Sequence, residues 1–171
     1  MTKFHNTDPV NLLNDLRIVF KYAEFKSHLN DNDYWFWLKD GNYLIWAKSG
    51  LYAPLNGSPN YWVGGTQLEI PEEGLSWFIQ VIEEKFLKTE AEGGLLKGEF
   101  GYEEEISGER LVISRMFGTP GYSFRNHSRD SYVFKTQKRP QEAIFTDQML
   151  FEKGLFDEFK KLAAKIDQGL I

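Results

Sequence analysis

Cysteine is absent from the 171-residue chain, which excludes a disulfide framework, a thiolate zinc site and a cysteine nucleophile. Histidine is scarce. His5, His28 and His127 stand far apart and form neither an H-x-H nor an H-E-x-x-H pattern, so the converging donors that zinc requires are not visible. Asp31-Asn32-Asp33 offers oxygen donors without the twelve-residue calcium loop and its closing glutamate. Long apolar runs are missing too: none nears the ~18 residues of a membrane span, and the opening Met1-Thr2-Lys3-Phe4-His5-Asn6 has no apolar signal-peptide segment. These absences together predict a cytoplasmic protein with no metal, no cofactor and no membrane partner.

Catalytic frames are equally sparse. Gly74-Leu75-Ser76-Trp77-Phe78 departs from G-x-S-x-G at Phe78, and Ser76 falls in a predicted helix instead of a strand-to-helix elbow. Gly64-Gly65 and Gly93-Gly94 lack the lysine and hydroxyl of a phosphate loop. Glu103-Glu104-Glu105 with Glu109 resembles a carboxylate pair for acid–base chemistry. Consecutive strand residues point to opposite faces, however, so these carboxylates do not converge.

What the chain has in quantity is aromatic surface and segregated charge. Fourteen Phe, eight Tyr and five Trp can fill the core of one domain spanning 1–171. The overall charge is −5, but residues 61–109 carry three basic and twelve acidic residues, a net of −9. Residues 110–140 carry seven and one, a net of +6. An acidic stretch followed by a basic one either complements itself within the fold or marks a binding face.

Hydrophobic periodicity predicts an α+β fold, a mainly antiparallel sheet built from hairpins and packed with an N-terminal, a central and a C-terminal helix. Asp8 and Pro9 are a cap and first-turn pair, followed by Leu12, Leu13, Leu16, Val19, Phe20 and Ala23 at helical spacing up to about Lys26. Two strands, 34–39 and 43–47, flank the turn residues Asp40-Gly41. Glycine- and proline-rich residues 49–66 read as loop, and 67–70 as a short strand. Pro71-Glu72-Glu73 opens a helix whose stripe is Leu75, Phe78, Ile79, Ile82 and Phe86, which puts Trp77, Gln80, Glu84 and Lys88 on the opposite side.

A hairpin of 95–106 and 109–117 turns at Ser107-Gly108, pairing Ile106 with Glu109 and Glu105 with Arg110. That register places Glu99, Glu103, Glu105 and Arg110 on one face and the apolar residues on the other. Strands at 122–125 and 131–135 come next, with a boundary at Pro140. A closing helix carries Leu155, Phe156, Phe159, Leu162, Ala163 and Ile166, with Gly154 dividing it from a shorter one. No internal repeat is visible.

Three binding readings follow. An acidic, aromatic-containing face would use Glu73, Trp77, Glu84, Glu99, Glu103 and Glu105 to meet a basic protein partner, with an exposed Trp77 as anchor. The basic segment, with Arg110, Arg125, Arg129 and Tyr132, would bind single-stranded RNA or a nucleotide. An aromatic cleft around Trp35, Trp37 and Trp46 would hold or hydrolyse a small molecule.

In its size, its acidic run 99–109 and its aromatic-rich hairpins, the chain resembles bacterial toxin-immunity proteins such as those of contact-dependent growth inhibition systems. That resemblance implies a small, cytoplasmic, non-enzymatic inhibitor that blocks a basic toxin domain, often a nuclease. The leading expectation is therefore an immunity-type binding module.

Overall fold

A computed structural model describes residues 3–5, 7, 12–23, 34–49, 67–132 and 138–171. The architecture is α+β: two four-stranded antiparallel sheets, each a meander in sequence order, and each followed by a helix. The first sheet holds β1 (Ile18–Ala23), β2 (Tyr34–Asp40), β3 (Tyr43–Ser49) and β4 (Gln67–Pro71), and leads into α1 (Glu73–Val81). The second holds β5 (Gly101–Ile106), β6 (Glu109–Met116), β7 (Gly121–Asp130) and β8 (Pro140–Thr146), and leads through a π-turn, Gln148–Glu152, into α2 (Leu155–Asp167). The topology thus repeats where the sequence shows no repeat.

β4 is the seam. It packs against β7 and β8, while α1 and α2 pack on each other. All five β4 residues are buried, because Leu68 and Ile70 join the shared apolar core while Gln67 and Glu69 are held among polar side chains. One apolar cluster spans both sheets and both helices. Phe159 of α2 sits at its centre, within ring contact of Phe20, Trp37, Trp46, Phe78 and Phe145. A smaller cluster of Leu12, Phe36, Leu38, Ile45 and Ala47 fills the other face of β2 and β3, which explains why both strands read as nearly continuous apolar runs.

The central and C-terminal stripes are as predicted: Leu75, Phe78, Ile79 and Ile82 are buried and Phe86 half-buried, the last two in the π-turn Ile82–Phe86 that continues α1, and all six stripe residues of α2 are buried. Gly154 takes a left-handed φ of 76° at the start of α2. Gly74 lets α1 lie close to the sheets, since a Cβ there would stand 3.0 Å from Leu111 Cδ1.

Three expectations need correction. Among the described residues, N-terminal helix amounts to a single 3-10 turn, Leu12–Asn14, and Ile18–Ala23 is strand β1. Ile18, Val19, Phe20 and Tyr22 are strand formers whose pairing with β2 overrides the helical spacing. The proposed cap, Asp8-Pro9, and the end near Lys26 lie outside the described residues, as do His28, 31–33, 50–66 and 133–137. Second, the residues expected to separate two strands, 126–130, belong to one long β7. Third, β8 was not foreseen past Pro140. Its buried alternation runs through Gln141, Ala143 and Phe145, and Gln and Ala do not announce an inward face. No described helix is long and apolar enough to cross a membrane.

Candidate partner-binding site

The β5–β6 hairpin has the predicted register, Ile106 opposite Glu109, Glu105 opposite Arg110 and Tyr102 opposite Ile113. Ser107 (φ 49°) and Gly108 (φ 80°) both take positive φ, the tight-turn geometry whose twist matches that of paired strands. Leu111 and Ile113 are buried and Tyr102 and Ile106 half-buried on one face. Glu103 and Glu105 are exposed on the other. Arg110 forms its ion pair diagonally with Glu103, at 2.7 Å, and not with the directly opposite Glu105.

Between α1 and β5 lies a cleft of about 650 Å³. It is lined by Glu73, Glu84 and Glu104, by Trp77, Tyr102 and Ile106, and by one cation, Lys85; Glu84 also pairs with Lys88, which is not in the lining. Trp77 is not exposed as expected: only 7% of it is accessible. It is covered because α1 lies on the second sheet as well as the first, so that both helix sides meet protein; Phe124 and Tyr102 pack against its ring. Its indole Nε1 donates to Glu104 Oε2 at 2.8 Å, which satisfies the one polar atom of the side chain. Lys85 Nζ lies 5.5 Å from the centre of the Tyr102 ring.

The six residues expected on an acidic face therefore divide. Glu73, Trp77 and Glu84 converge in the cleft. Glu103 and Glu105 sit on the opposite face of β5, and Glu99 lies before the strand, its carboxylate accepting the Leu96 N–H at 3.4 Å. Glu104 and Tyr102 were missed. Their signal was the two-residue alternation itself, which puts Tyr102, Glu104 and Ile106 on one side.

Part of the basic segment is spent inside the molecule. Arg129 of β7 is 7% exposed and clamps two buried glutamates from different strands. Its Nε and Nη2 donate to Glu109 Oε2 (2.8 Å) and Oε1 (2.6 Å), and its Nη1 donates to Glu69 Oε2 at 2.8 Å. Asn126 Nδ2 donates to Glu109 Oε2 (2.5 Å) and to the Glu69 carbonyl (2.7 Å). The Tyr43 hydroxyl donates to Glu109 Oε1, and Gln67 Nε2 to Glu69 Oε1. The Tyr132 hydroxyl lies 2.6 Å from Glu69 Oε1.

Burial alone would push the Glu109 carboxyl up. The hydrogen bonds from Arg129, Asn126 and Tyr43, with the Arg129 charge, more than offset this and hold it below the ordinary carboxylate range. Burial, and then the bond to Glu69, raise the Tyr132 phenol.

Two of the four residues expected to touch nucleic acid, Arg129 and Tyr132, are thus structural. Arg110 is paired with Glu103. Arg125 donates to Ser114 Oγ at 2.6 Å and has no carboxylate partner among the described residues. The acidic and basic stretches meet within one fold, where Arg110 and Arg129 pair with Glu103, Glu69 and Glu109. The third reading centres on Trp35, Trp37 and Trp46. Trp37 and Trp46 are fully buried and fill space against Phe159 instead of lining a cleft. Trp35 is half-buried and stacks on Trp46 at 5.4 Å. Among the described residues no three histidine or acidic side chains gather in a way that could hold a metal ion.

No family model and no curated protein matches the sequence. Among solved structures, a crystal structure of Trypanosoma bruciei MRP1/MRP2 aligns with a TM-score of 0.41 and 11% identity, over 85% of this chain and 91% of that one. That degree of likeness carries no functional inference.

Proposed function

We propose that the protein is a non-enzymatic binding module that engages a basic protein partner through the cleft between α1 and β5, and that its action is of the immunity type, blocking a toxin domain. One observation carries this reading. Glu73 of α1, Glu84 of the π-turn after it and Glu104 of β5 surround the half-buried Tyr102 and the small exposed part of Trp77, with Lys85 the one cation in the lining and Lys88, outside it, paired to Glu84. Such an arrangement supplies long-range attraction at the rim and apolar contact at the base, the division of labour seen in specific interfaces. The toxin-directed form of the function rests on the resemblance in size, acidity and aromatic content.

The test is co-purification from the native organism at low and moderate salt, followed by affinity measurement with Glu73→Lys/Glu84→Lys. Both residues are exposed, Glu73 in the first turn of α1 and Glu84 in the π-turn that follows it (Ile82–Phe86), so the double reversal leaves the core contacts in place. The double reversal is expected to weaken the recovered basic partner roughly tenfold at low salt, chiefly through association rate, and to flatten the salt dependence. An unchanged affinity and salt slope would remove the cleft from the binding mechanism.

A further inference from the structure

Among the described residues β5 is the outer strand of its sheet, paired with β6 alone. The hydrogen-bonding phase of that pairing fixes which backbone groups are left over. A two-residue turn makes Ile106 and Glu109 a hydrogen-bonded pair, and alternate pairs follow. Donation from Arg115 N to Phe100 O at 2.7 Å confirms the phase at the far end. Phe100, Tyr102, Glu104 and Ile106 thus turn their N–H and C=O groups toward β6. Gly101, Glu103 and Glu105 turn theirs outward, and all three are exposed with no backbone partner on that side among the described residues.

We infer that this edge accepts an extended, lysine- or arginine-bearing segment of the partner as a fifth strand. The inference rests on the basic-partner reading and specifies how the partner binds. An added strand would lie ~4.8 Å from β5, with alternate side chains on its two faces. Side chains on one face would stand beside Tyr102 and Glu104 and reach the cleft bounded by Glu73 and Glu84. Those on the other would stand beside Glu103 and Glu105. The cleft face is therefore acidic; on the other, Arg110 already pairs with Glu103, so a basic strand is complemented chiefly on the cleft side. A second copy of this chain is disfavoured at the same edge, because two β5 strands would bring glutamate rows together; charged edges oppose self-pairing in this way. Main-chain bonds would supply affinity and the alternating side chains selectivity.

The experiment uses the full chain and a capped octapeptide of alternating lysine and valine. Backbone amide exchange is followed by NMR with and without saturating peptide at low salt. Slowed exchange at Gly101, Glu103 and Glu105 supports strand addition. Tyr102 and Glu104, already bonded to β6, should change little. Glu103→Pro removes an outward N–H without touching the β6 ladder, and should bind the peptide roughly fivefold more weakly than Glu103→Ala, the charge control. Salt-dependent binding with those three amides still exchanging freely overturns strand addition and leaves the cleft reading standing. Absence of any binding at low salt overturns both. The exchange measurement on the unsubstituted chain decides the matter even where the proline variant folds poorly.

Discussion

Replacing Arg129 by methionine tests the polar seam directly. The substitution keeps length and apolar contact but removes three hydrogen bonds and the cation shared by Glu69 and Glu109. Both carboxylates are 1–2% exposed, so water cannot replace what is lost. Breaking a buried ion pair by removing one partner costs about 3–5 kcal/mol. For a domain of this length that corresponds to a fall in Tm of roughly 6–20 °C.

The pH dependence gives the sharper signature. In the parent chain the Glu109 carboxyl is held low by Arg129 and its neighbours. Its contribution is therefore present above the unfolded carboxyl value of about 4.3 and is lost as pH falls through the lower folded value. In Arg129→Met the Glu109 carboxyl loses bonds and charge that offset its burial, so its folded value rises, and the variant's deficit is greatest near neutrality and shrinks toward acid pH as it protonates. Urea denaturation of both proteins between pH 4 and 7.5 measures this. Adding Glu69→Gln and Glu109→Gln to Arg129→Met should recover part of the loss at pH 7. A deficit below about 1 kcal/mol that is flat with pH would refute the view that this network is buried and ionised.

Phe159→Ala should cost about 3–5 kcal/mol in urea denaturation, since Phe159 touches five aromatic rings from both meanders and α1; a loss under about 1 kcal/mol would mean that this centre is loosely packed. Partial desolvation, and then the nearby Arg125 and Arg110 charges, hold the otherwise exposed His127 below its ordinary value. NMR should find it neutral at pH 7, and Arg125→Gln should move its pKa back up. A His127 pKa unaffected by that change would separate the two side chains.

What could be read in the sequence was what depends on near neighbours. The β5–β6 register followed from a Ser107-Gly108 turn and a period-two pattern, and both amphipathic stripes from their own spacing. What could not be read depends on residues far apart. Arg129 looks like a surface cation until Glu69, sixty residues earlier, is placed beside it. The polar run 126–130 looks like a loop because its buried members, Asn126 and Arg129, are buried by pairing and not by hydrophobicity. Trp77 looked free because helical periodicity identifies one buried face, and α1 has two sheets to satisfy. The N-terminal stripe misled for the opposite reason: Val19 and Phe20 fit a helical period, but their partners in β2 decide the outcome.

The location of the polar seam also bears on how the chain folds. Each meander forms from hairpins close in sequence, which are quick to close. The first carries Glu69 and the second carries its cation, Arg129. Until the two meanders dock, Glu69 is a strand carboxylate without a counter-charge, and Phe159 has no ring from the first sheet to meet. Neither half is a finished unit. A chain cut in the connection between them should yield two fragments that are poorly ordered apart and become ordered on mixing, with the final gain in stability arriving in one step when the guanidinium closes over both carboxylates.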